Sequence, residues 1–292
     1  MNQQPQESSQ REHQQQIEAW RQQRLARLRS DEGWLVVAGL FWLEPGKNSF
    51  GSAADNTVVL PAHSAPAHAG HFVMEGTKVT LVAAPGVALT VNGKPPEGAT
   101  PTLRADEPGP ADVIALGDLR FFVIDRDGRI GIRLRDLRNP RRAQFTGFEY
   151  FPVSLEYRVN ARFVPRTASE SGKGTIKVNN VLGTVSEMKS PGKLVFGLHG
   201  HEYALDAVLE EPTDTRFFVI FRDTTAGHET YGAGRFVYTD GLPKDGQVVL
   251  DFNKAYNPPC AVTPYATCPL PPPQNRINVR IEAGEKKLPG SH

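Results

Sequence analysis

Apolar and polar positions alternate with two different periods along this chain. In the first thirty residues Ile17, Trp20, Arg24 and Leu28 step by three and four, with Leu25 beside them, in a stretch otherwise rich in Gln, Arg and Glu. That spacing predicts one amphipathic helix over 12–29 after a frayed start. Three roles fit such a helix: packing on the body of the protein, a dimerisation arm, or a basic membrane-surface helix. The last is disfavoured because Gln rather than Lys fills the polar face.

From Gly33 the period changes. The apolar block 33–43 reads as a buried helical turn or a first strand, and Glu44-Pro45-Gly46-Lys47-Asn48 as a turn. Short β-type runs follow at 57–60, 71–74, 79–83, 89–91, 113–116, 121–125 and 130–134. Asn92-Gly93 and Asp127-Gly128 supply the positive-φ positions of tight hairpins between them. Regular short strands without helices predict a β-sandwich. Pro140 favours an extended turn at Asn139. Strand-like runs resume at 156–165, 174–179, 183–189, 193–198, 202–208, 216–223, 234–238 and 247–252, which predicts a second antiparallel barrel or sandwich. A barrel of this size can hold one small ligand in its mouth. The expected organisation is a tail and helix over 1–32, a sandwich over 33–140 and a C-terminal β domain over 141–292.

Composition narrows the function classes. Lys+Arg is 33 against Asp+Glu 32 in 292 residues, and this balance argues against a nucleic-acid partner. No apolar run reaches membrane-spanning length, so no membrane partner is expected. Without an apolar leader at the amino terminus, the expected location is cytoplasmic. Gly 27 and Pro 24 agree with many turns.

Phe50-Gly51-Ser52-Ala53-Ala54-Asp55-Asn56-Thr57-Val58-Val59-Leu60, Val91-Asn92-Gly93 and the run from Val113 to Phe121 together resemble a forkhead-associated domain. That resemblance implies a β-sandwich and, in the family, phosphothreonine recognition by an arginine and a serine. Here Ser52 stands at the arginine position and Pro66 at the serine position. A phosphate needs charge-assisted donors that these two cannot provide, so capture of a phosphothreonine peptide is not expected. The whole chain is also similar to a bacterial family known only as domain of unknown function 1684. That likeness is carried by GLFWLEPGKNSFGS, GRIGIRLRD, the block from Phe145 to Pro152, TYGAGRFVY and DFNKAYNPPCAVTPYATCPLPPPQNR. The resemblance implies no reaction, substrate or cofactor.

Chemistry-bearing residues cluster in three places. The segment 133–152 is dense in arginine. Arg133 and Arg142 are candidates for an anion-binding patch, or the arginines pair with Asp136, Glu149 and Glu156. Next, Gly232-Ala233-Gly234 before Arg235 reads as a bulge or a close strand approach. Arg235 either clamps an anion or pairs with Asp223 or Asp251. The third is the proline-rich tail, seven prolines from Pro258 to Pro273. It forms a stiff ordered loop that presents Tyr256, Asn257, Tyr265 and Asn275 to a ligand, or spends them on its own backbone.

Cys260 and Cys268 are the only cysteines, and a disulfide between them is opposed by a cytoplasmic location. His199 and His201, two apart, are a weak candidate metal pair on one strand face, and no metal or other cofactor is expected. No nucleophile elbow, P-loop or dinucleotide fingerprint is present. The leading expectation is a mainly all-β protein that binds a small molecule or a protein without catalysis. The alternative is a cofactor-independent hydrolase or isomerase using Asp251 or Glu229 as base, Arg235 as clamp and Tyr256 or Tyr265 as donor.

Overall fold

A computed structural model describes residues 3–96, 98, 100–167 and 174–289. The molecule is mostly strand, with about 40% of residues in β and 16% in helix. Two compact units divide it: residues 1–26 with 146–292, and residues 27–145.

The opening helix α1 (Gln3–Arg29) begins well before the expected start, because its Gln, Glu and Arg all have high helix propensity. The apolar block after it is both of the expected things in turn, a 3-10 turn over Trp34–Val36 and then strand β1 (Val37–Trp42).

The sandwich unit continues with β2 (Gly46–Gly51), β3 (Val58–Val59), β4 (Gly70–Glu75), β5 (Lys78–Ala83), β6 (Thr90–Val91), β7 (Thr102–Leu103), β8 (Ile114–Leu116), β9 (Leu119–Arg126) and β10 (Arg129–Asp136). Two five-stranded sheets result, in the orders β1-β10-β9-β8-β6 and β3-β2-β4-β5-β7. Their inner faces share one apolar core in which the rings of Phe50, Phe72 and Phe121 meet with centroids 5.0–6.1 Å apart. Strand β2 starts inside the expected turn. The buried Asn48 side chain closes that turn on Glu44 N and O, which frees the next residues to pair with β4. A short helix α2 (Pro140–Gln144) replaces the extended turn expected there. Asn139 does stay extended, but as an N-cap that accepts from Arg141 N, and Pro140 takes the first helical position, where its missing N–H costs nothing.

The half-barrel unit is built from β11 (Arg158–Pro165), β12 (Thr175–Asn179), β13 (Val185–Leu198), β14 (His201–Leu209), β15 (Phe218–Phe221), β16 (Arg235–Tyr238) and β17 (Gln247–Asp251). These strands form one antiparallel sheet in the order β16-β15-β14-β13-β11-β17, with β12 added on β13. The sheet curls until its two ends touch at a bridge between Thr239 and Leu250. Strand β13 fuses two expected runs. Pro191 lies where the pairing with β14 slips between Lys189 and Gly192, so the strand passes through a proline by bulging there.

Phe196, Phe221 and Phe252 fill the concave side, with centroids 5.3–5.4 Å apart, together with Val219, Val237, Leu205 and Leu250. A side-chain core therefore fills the inside of the curled sheet.

Helix α1 docks on the half-barrel unit by a mixed face. Ile17 is wholly buried, but the residues beside it are polar. Gln10 donates to Val153 O at 2.8 Å, and Arg21 donates to Phe151 O at 3.1 Å while lying over the Tyr150 ring. Arg24 pairs through two nitrogens with the carboxylate of Glu285, which is 0% exposed, and donates to Asn257 O at 3.0 Å. Burying a carboxylate is tolerable only with such partners. Arg24→Ala is expected to lower unfolding free energy by about 3–5 kcal/mol, measured by urea denaturation, because it strands Glu285 uncompensated.

Candidate functional site

The residues expected to do chemistry are placed apart from one another. Arg235 follows Gly234, whose φ of +99° and lack of a side chain let the strand press against its neighbours. A Cβ there would sit 2.6 Å from Phe221 O and 2.5 Å from Pro271 Cγ. This close approach turns the Arg235 side chain inward, where it is 1% exposed. It pairs with Asp223 at 3.2 Å and donates to Ile281 O at 3.0 Å and to Ala283 O. Asp223 in turn accepts from Ile281 N and from the Thr225 hydroxyl. Burial lowers the Arg235 pKa, and the Asp223 charge opposes that shift. Both side chains are spent fastening the chain's last irregular segment to the sheet.

Asp251 is equally committed. One oxygen accepts from Asn253 N at 3.0 Å and from Asn253 Nδ2 at 2.9 Å, and the other faces His13 Nε2 of α1 at 3.4 Å. Burial lowers the His13 pKa from 6.5. Asp251 and Asp240 oppose this, whereas Arg158 and Lys254 reinforce it. Glu229 lies near the surface, paired with Arg280 at 2.6 Å, and that hydrogen bond lowers its pKa.

Within the tail, Asn257 and Asn275 serve backbone. Asn257 N donates to Glu285 Oε2 and its side-chain amide donates to Lys286 O. Asn275 accepts from Asp206 N at 2.7 Å and donates to Asp206 O and Ile220 O at 2.9 Å each. It supplies rungs between β14 and β15, whose own register has a single pair, Val208 with Phe218. Tyr265 is half-buried, and its N–H donates to Thr263 Oγ1 at 3.4 Å.

Other candidates also differ from their expected surroundings. His199 is not on a strand face beside His201. With φ of +51° it occupies the turn between β13 and β14, ahead of Gly200, and its ring meets Glu156 at 3.3 Å. Among the described residues no group of three or more His, Cys, Asp or Glu side chains could hold a metal ion. Arg133 is buried with its guanidinium 5.2 Å from the Trp34 ring centroid, and Arg142 pairs with Asp31 at 2.8 Å. Arg138 faces Asp118 and Arg141 donates to Val37 O. The arginines of α2, Arg141 and Arg142, are thus tied to the start of their own unit.

One cluster does bring polar and aromatic groups together, on the half-barrel unit around Tyr256. The Tyr238 and Tyr256 rings stack at 6.3 Å with 15° between their planes. Phe218, Phe236 and the half-buried Trp20 of α1 pack around them, with ring centroids 4.9–6.5 Å apart. Arg24 lies over Tyr256 at 4.4 Å, and the exposed Arg216 over Tyr238 at 3.9 Å. The two phenols hydrogen-bond each other, and Tyr238 OH donates to Glu210. Burial raises both phenol pKa values, so the hydroxyls stay protonated. Glu210 reaches solvent on one side, yet packing around its carboxyl raises its pKa as well. Of these residues the sequence singled out Tyr256. Glu210, Tyr238 and Arg216 are brought to it by strand pairing, and no local motif marks them.

Residues 143–286 match the model of a family described as a protein of unknown function, DUF1684. The segment contains Tyr256, Tyr238, Glu210 and Arg216. A solution NMR structure of an uncharacterized protein from Haloarcula marismortui is 31% identical over 51% of this chain and 80% of that one, with a TM-score of 0.41. No curated protein matches the chain. Among the described residues no helix is long and apolar enough to cross a membrane.

Two measurements check these assignments. Arg235→Ala is expected to lose about 3–5 kcal/mol in urea unfolding, the cost of leaving Asp223 buried and unpaired. Because His13 is held neutral in the fold, the unfolded chain binds the extra proton first. Stability is therefore complete above the unfolded value of 6.5 and falls as pH drops from there toward the lowered folded value. Urea midpoints at about pH 7.5 and pH 5.5 should differ more for the native protein than for His13→Gln.

Proposed function

We propose that this protein binds a small polar ligand without catalysis, and that the ligand is a hydroxylated ring compound held at the Tyr238–Tyr256–Glu210–Arg216 cluster. The observation that carries this reading is the separation of the acid–base candidates. Asp251, Arg235 and Glu229 each belong to a different structural pair. The remaining cluster has what such a ligand needs: aromatic surface for a ring, a carboxylate to accept hydroxyl protons, and a guanidinium at the rim to donate. It lacks a nucleophile paired with a base.

An enzymatic reading has one observation in its favour, the raised pKa of Glu210 beside a protonated tyrosine. A carboxyl whose pKa is raised lies closer to what a general acid needs. Asp251 and Glu229 have no part in that version.

For the sandwich unit we propose a forkhead-associated-like body without phosphopeptide recognition. Two sheets on one core support the likeness. The loss of the phosphate ligands is supported by Ser52, whose hydroxyl donates to Ala65 O at 2.8 Å and whose N–H donates to Pro66 O at 3.0 Å. Both groups are turned onto the loop's own backbone. A cytoplasmic location is part of this proposal, in keeping with the two free thiols.

The test is a thermal-shift screen of the full chain against sugars, polyols and small phenols, followed by calorimetry of the best compound. Glu210→Ala or Tyr238→Phe is expected to weaken binding about 10-fold or more, the worth of one hydrogen bond to a charged group. A best compound whose affinity is indifferent to both substitutions would sink the assignment, and steady conversion of the compound to product would favour the enzyme instead.

A further inference from the structure

The chain's two cysteines meet in the proline-rich tail. Cys260 is held in a 3-10 turn over Pro259–Ala261, where Ala261 N and Val262 N donate to Pro258 O and Pro259 O at 3.0 Å each. Cys268 is fixed from the other side. Its carbonyl accepts from Val181 N at 3.0 Å, and Pro269 next to it bridges to Asn180. With both ends anchored, Cys260 N–H donates to Cys268 Sγ at 3.2 Å and the two thiols hydrogen-bond each other. The Tyr231 hydroxyl donates to Cys260 O at 3.4 Å. The contact with Cys268 lowers the Cys260 pKa, against the opposing effect of burial. Exposure differs between the two: Cys260 is half-buried and Cys268 is 4% exposed.

We propose that Cys260 and Cys268 are a reversible dithiol–disulfide pair, with Cys260 as the peroxide-reactive thiol and Cys268 as the resolving one. A thiolate is the nucleophile in this chemistry, and Cys260 is the cysteine of the two that a peroxide can reach from solvent. The Cys260 thiolate attacks one oxygen of a hydroperoxide. The O–O bond breaks, the leaving alkoxide or hydroxide takes up a proton, and Cys260 becomes a sulfenic acid. Cys268 sulfur then displaces hydroxide from that sulfenic sulfur, and the thiol proton leaves with it as water. In sum two thiols are oxidised by two electrons, and one hydroperoxide is reduced to an alcohol and water. Sulfurs already in hydrogen-bond contact need only close to the about 2.05 Å of a disulfide. The product links the two ends of the loop 260–268 that carries Tyr265. This proposal does not rest on the ligand reading.

The experiment uses the full chain, reduced with dithiothreitol, desalted and treated with an equimolar amount of hydrogen peroxide. It is then denatured, alkylated with iodoacetamide and weighed by mass spectrometry. Alkylatable thiols are expected to fall from two to none, with loss of two hydrogens from the monomer mass, and dithiothreitol should restore both. In Cys268→Ser, dimedone is expected to trap a sulfenic acid on Cys260. In Cys260→Ser, Cys268 should oxidise at least about 10-fold more slowly, as a buried thiol does. The idea fails if the native chain keeps both thiols alkylatable, if Cys260 proceeds to sulfinic acid without cross-linking, or if the disulfide forms only between molecules. Should a serine variant not fold, the native-chain mass measurement decides alone.

Discussion

The half-barrel unit depends on giving one carboxylate partners out of water. Glu285 lies near the end of the described chain, 0% exposed, and each of its partners comes from a different segment. Arg24 reaches it from α1, Asn257 N from the loop after β17, and Tyr150 OH, at 3.5 Å, from the chain that enters the unit. Desolvating a carboxylate costs several kcal/mol, repaid only when charge and hydrogen bonds converge on it. The convergence therefore fixes four segments against one another. Asp223 with Arg235 and Asp206 with Arg166 and Gln274 repeat the device at other points, and Asp251 is held by Asn253 beside the His13 ring. The long tail has little ladder pairing of its own, so these buried side chains do for it what a sheet does for a strand.

That economy explains why catalysis-like residues in this sequence do not make a catalytic site. Arg, Asp and Asn are the residue types an enzyme uses to hold and move protons. They are also the types that can satisfy irregular backbone below a surface. Here Arg235 and Asn275 end on carbonyls of the tail and of the strands it crosses. Asn275, with its oxygen and both amide hydrogens engaged, has little hydrogen-bonding capacity left for a substrate. The tyrosine cluster differs because its carboxylate and one guanidinium reach the surface, which is the condition for meeting a ligand.

Much of the strand pattern was legible because it is local. Asn92 and Asp127, both with positive φ and each followed by glycine, make the hairpin turns their dipeptides announce. The Phe217–Phe221 run is buried along its length, as its weak alternation implies. Features that depend on distant partners were not legible. His13 and Arg24 lie in a glutamine-rich helix, and nothing nearby shows that Asp251 and Glu285, more than 200 residues on, will meet them. Proline at 191 reads as a strand break until its bulge is seen. The histidine pair misled for a related reason: spacing of two implies one face only within a strand, and His199 lies in a turn.

Buried ion pairs are weak evidence for stability, since apolar residues of the same volume often do as well or better. Their better-attested use is to fix register, and α1 presents the conditions for it. From His13 to Arg24 only Ile17 among its aliphatic side chains is fully buried, so apolar contact alone would let the helix slide along the sheet with little penalty. A slide of one turn toward the amino end would carry Ile17 to Asp251 and bring Leu28 to Glu285. Two carboxylates would then lie against aliphatic groups, each without its partner. Several kcal/mol stand against that arrangement and against the opposite slide. The polar residues of the helix thus select one docking among several that its apolar residues would accept, and that docking is the one that lays Trp20 and Arg24 against Tyr256.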